Sequence, residues 1–243
     1  MDHPYHLSVM IDCISVENMR RSDEMTIARY VPSLELMARA ARGVYLAGAW
    51  KRPVAIVVGS GNNGGDGFAL ACILQEQNVD CTVFTVSEKL SADSAFYAQK
   101  ARETAVKINP FTTECLQGFE TVVDCLLGTG FRGEPREPYR EAIEAINASD
   151  AVVISVDINS GMNGDTGEGK WIVRSHLTVT IGYVKIGLLS ENAGRHIKRL
   201  VCADIGIVLE KEEWKICSQK ELPVDNGLLC PPWLDMTLVN VNI

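Results

Sequence analysis

Residues 54–58, Val-Ala-Ile-Val-Val, run straight into residues 59–67, Gly-Ser-Gly-Asn-Asn-Gly-Gly-Asp-Gly. Five apolar positions, mostly β-branched, predict a buried strand. The apolar stretch Phe68–Leu74 then predicts a helix, here placed at about 66–77. A strand, a glycine-rich turn and a helix in succession gather unpaired backbone N–H groups at one point and aim them at a ligand. Glycines at such a turn let a ligand come close to the backbone. A chain with this unit is expected to build an α/β sheet around it.

The spacing Gly59-x-Gly61-x-x-Gly64 satisfies the dinucleotide fingerprint, which on its own is weak. Two details argue against an ordinary nicotinamide site. Asp66 falls near the expected helix N-terminus, where a pyrophosphate wants its charge unopposed. A ribose-binding acid should close the second strand, yet Asp80 precedes the run Cys81–Val86. Asn62 and Asn63 add oxygens that a pyrophosphate loop does not need. With a carboxylate close by, the turn suits a cation as well as a phosphate.

Composition excludes several classes. At 243 residues and 47% apolar content, one large domain is expected and disorder is not. No apolar run reaches membrane-spanning length, and Met1–Cys13 lacks the pattern of a secretory signal. A net charge of −8 leaves no footprint for nucleic acid. The short basic cluster Arg195, His196, Lys198 and Arg199 reads as a solvated helix end. The eight cysteines form no C-x-x-C pair, and Cys72, Cys81, Cys125 and Cys202 lie in apolar runs. Reduced thiols in a cytoplasmic protein are expected. The four histidines have no metal-binding spacing.

Residues 15–50 predict two amphipathic helices, the second capped by Ser33 and packed on the sheet or on a second subunit. From Val54 onward, strands at 54–58, 80–86, 121–127, 151–157, 177–181 and 200–205 alternate with helices near 66–77, 91–106 and 136–148. Ser91 is expected to cap the second of these helices. Residues 184–194 are expected to loop. Alternation of this kind implies a parallel sheet covered on both faces. The stretch after Val208 is expected to be irregular, broken by Pro231-Pro232, with 238–243 a short strand or a frayed end.

Open parallel sheets bind ligands beyond the carboxyl ends of their strands. Three polar strand ends should therefore meet: Gly59–Asp66, Gly128–Gly133 below Asp124, and Asp157–Gly161. The amides of the second loop and the fork of Arg132 suit a phosphate. Asn63, Asp124 and Ser160 supply hard oxygens, and one carboxylate among neutral donors favours a monovalent cation. Asp157 is the acid–base candidate, because a strand-end carboxylate shielded from water can have its pKa raised.

Four blocks resemble the NAD(P)H-hydrate epimerase family, the YjeF N-terminal domain. They are GSGNNGGDGF at 59–68, VDCLLGTGFRGEPREPY at 123–139, VVISVDINSGMNGDTGEG at 152–169, and LTVTIGYVKIGLL with VCADIGI at 177–189 and 201–207. LELMARAA at 34–41 is similar to the family's lead-in helix. The resemblance implies a Rossmann-like three-layer α/β/α sandwich over 1–208, with N-terminal helices and a mostly parallel central sheet. Residues 209–243 would form an irregular C-terminal tail.

The resemblance also implies interconversion of the R and S forms of hydrated NADH and NADPH (NADHX and NADPHX). Potassium would be held by Asn63, Asp124 and Ser160. Substrate would be held by Asn62, Asn63, Gly64, Gly65 and Asp66, by Gly128, Thr129, Gly130, Phe131, Arg132, Gly133 and Glu134, and by Asp157. A homodimer, functionally coupled to an NAD(P)HX dehydratase, is implied, with neither nucleic acid nor membrane as partner. The chain departs from the family at Asn159 and Ile186, which replace prolines, and at Ser60. Loss of the proline at 159 is expected to loosen the loop carrying Asp157 and Ser160. Two alternatives are a scaffold that has lost the epimerase site and a dehydrogenase. The dehydrogenase would need a proton relay, for which only His176 and Lys185 stand late in the chain.

Overall fold

The computed structural model describes residues 5–7, 10–217 and 227–241. Its strands are β1 (Tyr5–Leu7), β2 (Met10–Ile14), β3 (Val54–Val58), β4 (Cys81–Thr85), β5 (Lys107–Pro110), β6 (Thr121–Cys125) and β7 (Val152–Val156). They continue with β8 (Leu177–Ile181), β9 (Val184–Lys185), β10 (Leu200–Asp204), β11 (Trp214–Cys217), β12 (Gly227–Leu229) and β13 (Leu234–Asn240). The helices are α1 (Val16–Arg29), α2 (Ser33–Ala47), α3 (Asn62–Glu76), α4 (Ala92–Glu103), α5 (Tyr139–Ala148) and α6 (Glu191–His196), with a 3-10 turn at Ile186–Leu189.

The main sheet has nine strands in the order β1-β13-β10-β8-β7-β6-β3-β4-β5. Only β1 runs antiparallel, against β13. Side chains along a strand alternate between faces, and β3 shows the result. Val54, Ile56 and Val58 join the core under α2, α3 and α4, with Leu36, Val44, Phe68, Leu70 and Ala98. Ala55 and Val57 join the opposite core under α5, with Ala142, Ile143 and Ile146. Beyond β10, the second face is covered by a small sheet of order β12-β11-β2-β9 and by α6. The expected three-layer architecture is therefore present, and α2 packs on β8, β10 and β13 of its own chain.

Several boundaries differ from expectation for physical reasons. The third helix begins at Asn62, so the glycine-rich turn is wound into its first turn. Ser33 is the first residue of α2 and not its cap; Pro32 stands there without a side-chain bond. Ser91 does cap α4, accepting from the Ser94 amide at 3.3 Å. The expected loop 184–194 holds β9, the 3-10 turn and the start of α6.

The described residues after 208 are not irregular. They supply β11, β12 and β13, and β13 lies inside the main sheet beside β10. The prolines at 231 and 232 precede β13 and do not interrupt it; its Leu234, Met236 and Val239 are buried. Residues 242–243, the end of the expected 238–243 stretch, lie outside the described residues.

Candidate active site

The sheet order reverses between β3 and β6: β4 and β5 follow on one side, while β7, β8 and β10 follow on the other. Loops leaving β3 and β6 therefore diverge and open a crevice at the carboxyl edge, the place where open α/β sheets bind ligands. A cavity of about 710 Å³ lies there. It is lined by Asn62, Asn63 and Asp66 from α3, by Gly128–Arg132 after β6, and by Asp157 after β7. Apolar and charged side chains of α1 and α2 form another wall, among them Met19, Arg20, Asp23 and Met37.

Asp157 leaves β7 with its amide still bonded to Val179 O at 2.8 Å, then turns at φ +69°. Aspartate tolerates this left-handed conformation better than most residues. The turn swings its carboxylate onto Lys185 Nζ at 2.5 Å and the Thr129 amide at 3.1 Å. Lys185 is 1% exposed, and Nζ also donates to Thr180 Oγ1 at 3.1 Å and Ile181 O at 2.7 Å. A lysine is buried this fully only when its charge is matched.

The Asp66 carboxyl group has no hydrogen-bond partner among the described residues. Burial pushes it well above the usual range, helped by the charges of Asp157 and Asp23 and opposed by Lys185. Asp23 is raised too, by burial first and then by Asp157 and Glu24, with Lys185 opposing. Neighbouring negative charges and desolvation both favour the neutral acid.

Asp124 and Ser160 form a buried knot behind the cavity wall. Ser160 Oγ donates to Asp124 Oδ1 at 2.5 Å, and the Ser160 amide and Ser155 Oγ donate to Oδ2 at 3.0 and 2.9 Å. The Leu127 amide donates to Ser160 Oγ at 2.9 Å, which ties the knot to the Gly128 loop. Burial raises the Asp124 carboxyl, and the hydrogen bonds from Ser160, Leu126 and Ser155 pull it back. Asn63 is different: its Oδ1 and Nδ2 are both buried with no partner. Buried polar atoms left unpaired are costly, so each calls for a partner. An amide oxygen without a donor is chemically suited to a hard cation, and the Ser160 hydroxyl and Asp124 carboxylate are donors of the same hard kind. Among the described residues no group of three or more His, Cys, Asp or Glu could hold a metal.

The expected site residues divide. Asn62, Asn63, Asp66, Gly128, Thr129, Gly130, Phe131, Arg132 and Asp157 line one cavity. Gly64, Gly65, Gly133 and Glu134 do not line it. A Cβ on Gly64 would lie 2.2 Å from Gly59 O, and one on Gly65 would lie 2.5 Å from Met37 Cε, so these glycines serve helix packing. Arg132 uses Nη1 to brace its own loop, donating to Thr129 O at 3.1 Å and Phe131 O at 3.2 Å. Asn159 does not loosen its loop. Fully buried, it donates to Val173 O at 2.8 Å and Ser175 Oγ at 3.0 Å and accepts from Thr178 Oγ1 at 2.6 Å.

The family model described as "YjeF-related protein N-terminus" matches residues 33–187. This chain belongs to that family. The NAD(P)H-hydrate epimerase of Limosilactobacillus reuteri is 38% identical over 191 residues, covering 75% of this chain and 89% of the relative. That of Rhodopirellula baltica is 35% identical over 208 residues, covering 81% and 85%. The bifunctional NAD(P)H-hydrate repair enzyme Nnr of Coxiella burnetii is 33% identical over 196 residues, and the match spans 40% of its length. The crystal structure of yeast ynu0, YNL200c, superposes with a TM-score of 0.66 at 20% identity, covering 89% of this chain and 98% of that one, and shares the fold.

In this YjeF-related domain, Asp23 and Arg20 are cavity residues that the sequence pattern did not single out, and Lys185 is another, named there only as a relay for the dehydrogenase alternative. Lys185 carried a usable signal, a lysine at the end of a β-rich apolar run, where burial demands a partner. Asp23 and Arg20 carried none, because they lie on a charged helix whose other acids and bases face solvent.

Proposed function

We infer that this chain is an NAD(P)H-hydrate epimerase, interconverting the R and S forms of hydrated NADH and NADPH in repair of damaged nucleotides. Family membership and relatives of that name, matched over most of both lengths, support the activity. The observation that carries it within the molecule is the meeting of Asn63, Asp66, Gly128 and Asp157 at one crevice. Retention of these polar residues speaks against a scaffold without a site.

The hydrated ring carries a hydroxyl on the carbon beside the ring nitrogen. The nitrogen lone pair can expel that hydroxyl once it is protonated, and water can return to the opposite face. The protein has to bind the nucleotide, fix the ring and handle protons at one oxygen. Asn62, Thr129 and Gly130 are proposed to hold the nucleotide, and the first turn of α3 offers N–H groups to its phosphates. Its N-cap, Gly61, supplies no side-chain bond that would occupy them. Asp157 is proposed as a catalytic carboxylate, oriented by Lys185 and the Thr129 amide.

Potassium is proposed as the resident ion, held by Asn63, Asp124 and Ser160; the unpaired Asn63 amide supports this assignment. When bound, it would supply positive charge beside the Gly128 loop for an anionic nucleotide. A homodimeric, cytoplasmic enzyme working with an NAD(P)HX dehydratase is the proposed setting, and bifunctional repair enzymes among the relatives support the coupling.

The test is to incubate the protein with pure R-hydrate and follow the S form by chromatography, with and without potassium. Interconversion well above the spontaneous rate, stimulated by potassium, is expected. No acceleration under either condition would overturn the assignment.

A further inference from the structure

We propose that Asp66 is a second catalytic residue, the acid that protonates the departing hydroxyl, while Asp157 is the base that takes the proton of the returning water. The assignment rests on the epimerase function inferred above and divides the proton work between two carboxylates.

The geometry separates them. Both oxygens of Asp157 face groups that donate and cannot accept: the Lys185 ammonium at 2.5 Å and the Thr129 amide at 3.1 Å. The ammonium is itself fixed by Thr180 Oγ1 and Ile181 O, so the clamp does not turn away. A carboxylate held in this way is fixed in place at the cavity wall, as a base must be. Asp66 lines the same cavity with no donor on either oxygen among the described residues. It is free to carry a proton and to point it at a bound molecule.

The charged and titratable neighbours agree with this division. Asp23 and Arg20 face the cavity from α1, Asp93 from α4, Arg132 from the β6 loop, Asp157 from the β7 end and Lys185 from β9. Arg20 is engaged by Glu17 and Glu24, at 2.7 and 2.5 Å. Tyr97 of α4 donates to Leu34 O, and the Cys125 thiol of β6 is pushed well up by burial, so it stays neutral. Burial and the charges of Asp157 and Asp23 therefore favour the protonated form of Asp66, with Lys185 as the main opposing charge. An acid kept neutral in the same cavity as a carboxylate held by donors is the usual basis of an acid and base pair.

The reaction balances without an added reagent other than water. The lone pair of the ring nitrogen forms a C=N bond as the C–O bond breaks. The departing oxygen takes the proton of Asp66 and leaves as water. Water then adds to the other face of the ring carbon. Its oxygen forms the new C–O bond, the C=N pair returns to nitrogen, and its proton passes to Asp157. In the reverse direction the two carboxyl groups exchange roles. A forward turnover leaves Asp66 ionised and Asp157 protonated, and exchange with solvent water returns the proton from Asp157 to Asp66 before the next one.

The experiment combines kinetics with a readout that needs no turnover. R-to-S conversion is measured for the wild type, Asp66→Asn and Asp157→Asn, and aspartate carboxyl 13C NMR is followed against pH in the wild type, with the Asp66 signal assigned by its loss in Asp66→Asn or Asp66→Ser. Each of the two asparagine variants is expected to lower kcat by about 100-fold or more, the scale of a lost acid or base, with KM nearly unchanged. The Asp66 signal is expected to stay in its protonated position at neutral pH. A folded Asp66→Asn protein with near wild-type kcat would remove the acid from Asp66 while leaving the epimerase function intact, and an ionised Asp66 at neutral pH would do the same. A wild-type protein that does not interconvert the hydrates would overturn the epimerase function, and this assignment with it.

Discussion

Two glycine-rich loops leave adjacent parallel strands of this protein, and they use glycine in opposite ways. After β3, Gly59 and Gly64 are packed backbone to backbone. A Cβ on Gly59 would lie 2.0 Å from Leu126 O, and one on Gly64 would lie 2.2 Å from Gly59 O. After β6, Gly130 and Gly133 have nothing within 4 Å of where a Cβ would sit. The first loop spends Gly59, Gly64 and Gly65 packing α3 onto the sheet and α2, while Ser60, Gly61, the asparagines and Asp66 are left to line the cavity. The second keeps open backbone at the crevice. Glycine-rich sequence at a strand end thus marks either a joint or a cradle, and only contacts tell which.

The sharpest way to break this contrast is Gly64→Ala. The added methyl meets a backbone oxygen that cannot give way, and overpacking of this kind should cost about 3 kcal/mol or more in urea unfolding. A variant of wild-type stability would make the joint a flexible turn. Asn63→Ala should separate function from stability at the same joint. Its amide has no partner to lose, so the unfolding free energy should stay within about 1 kcal/mol. Activity should fall about tenfold to a hundredfold, the range for a lost metal-site group. Its stimulation by potassium should disappear in the same assay, and a marked loss of stability with unchanged activity would refute the ligand role.

Asp66 adds a pH signature to the first loop. Its carboxyl is raised in the folded chain, so folding retains a proton that the unfolded chain releases above the ordinary carboxylate range. This contribution should lower stability as pH climbs from that range toward the raised value, and it should be absent below the range. Asp66→Asn should flatten that slope in thermal melts at several pH values, and an unchanged slope would assign it to other groups. The smallest effect is expected in the cradle. Gly130→Ala should change stability by less than about 0.5 kcal/mol, as at most exposed sites, while raising KM for the hydrate several-fold. Unaltered KM would place the nucleotide elsewhere in the crevice.

Much of the architecture was legible because burial on both faces forces apolar, β-branched runs, as in Val54–Val58 and Thr121–Cys125. The convergence of polar strand ends followed from parallel topology alone. What stayed hidden depends on packing across long distances in sequence. The start of α3 at Asn62 is set by how closely the glycines let it approach β3 and α2. The clamp on Asp157 needs Lys185 from a two-residue strand far along the chain. Asn159 shows why substitution logic misleads: a missing proline predicts a looser loop, whereas three buried hydrogen bonds to Val173, Ser175 and Thr178 hold it instead.

The position of β13 between β10 and β1 has a consequence for how the molecule is made. During synthesis, β10 emerges from the ribosome well before residues 234–240, and until they arrive its free edge offers unpaired N–H and C=O groups to any passing strand. The nascent chain is therefore most prone to aggregate late in translation, when nearly all of the crevice-forming strands are already out.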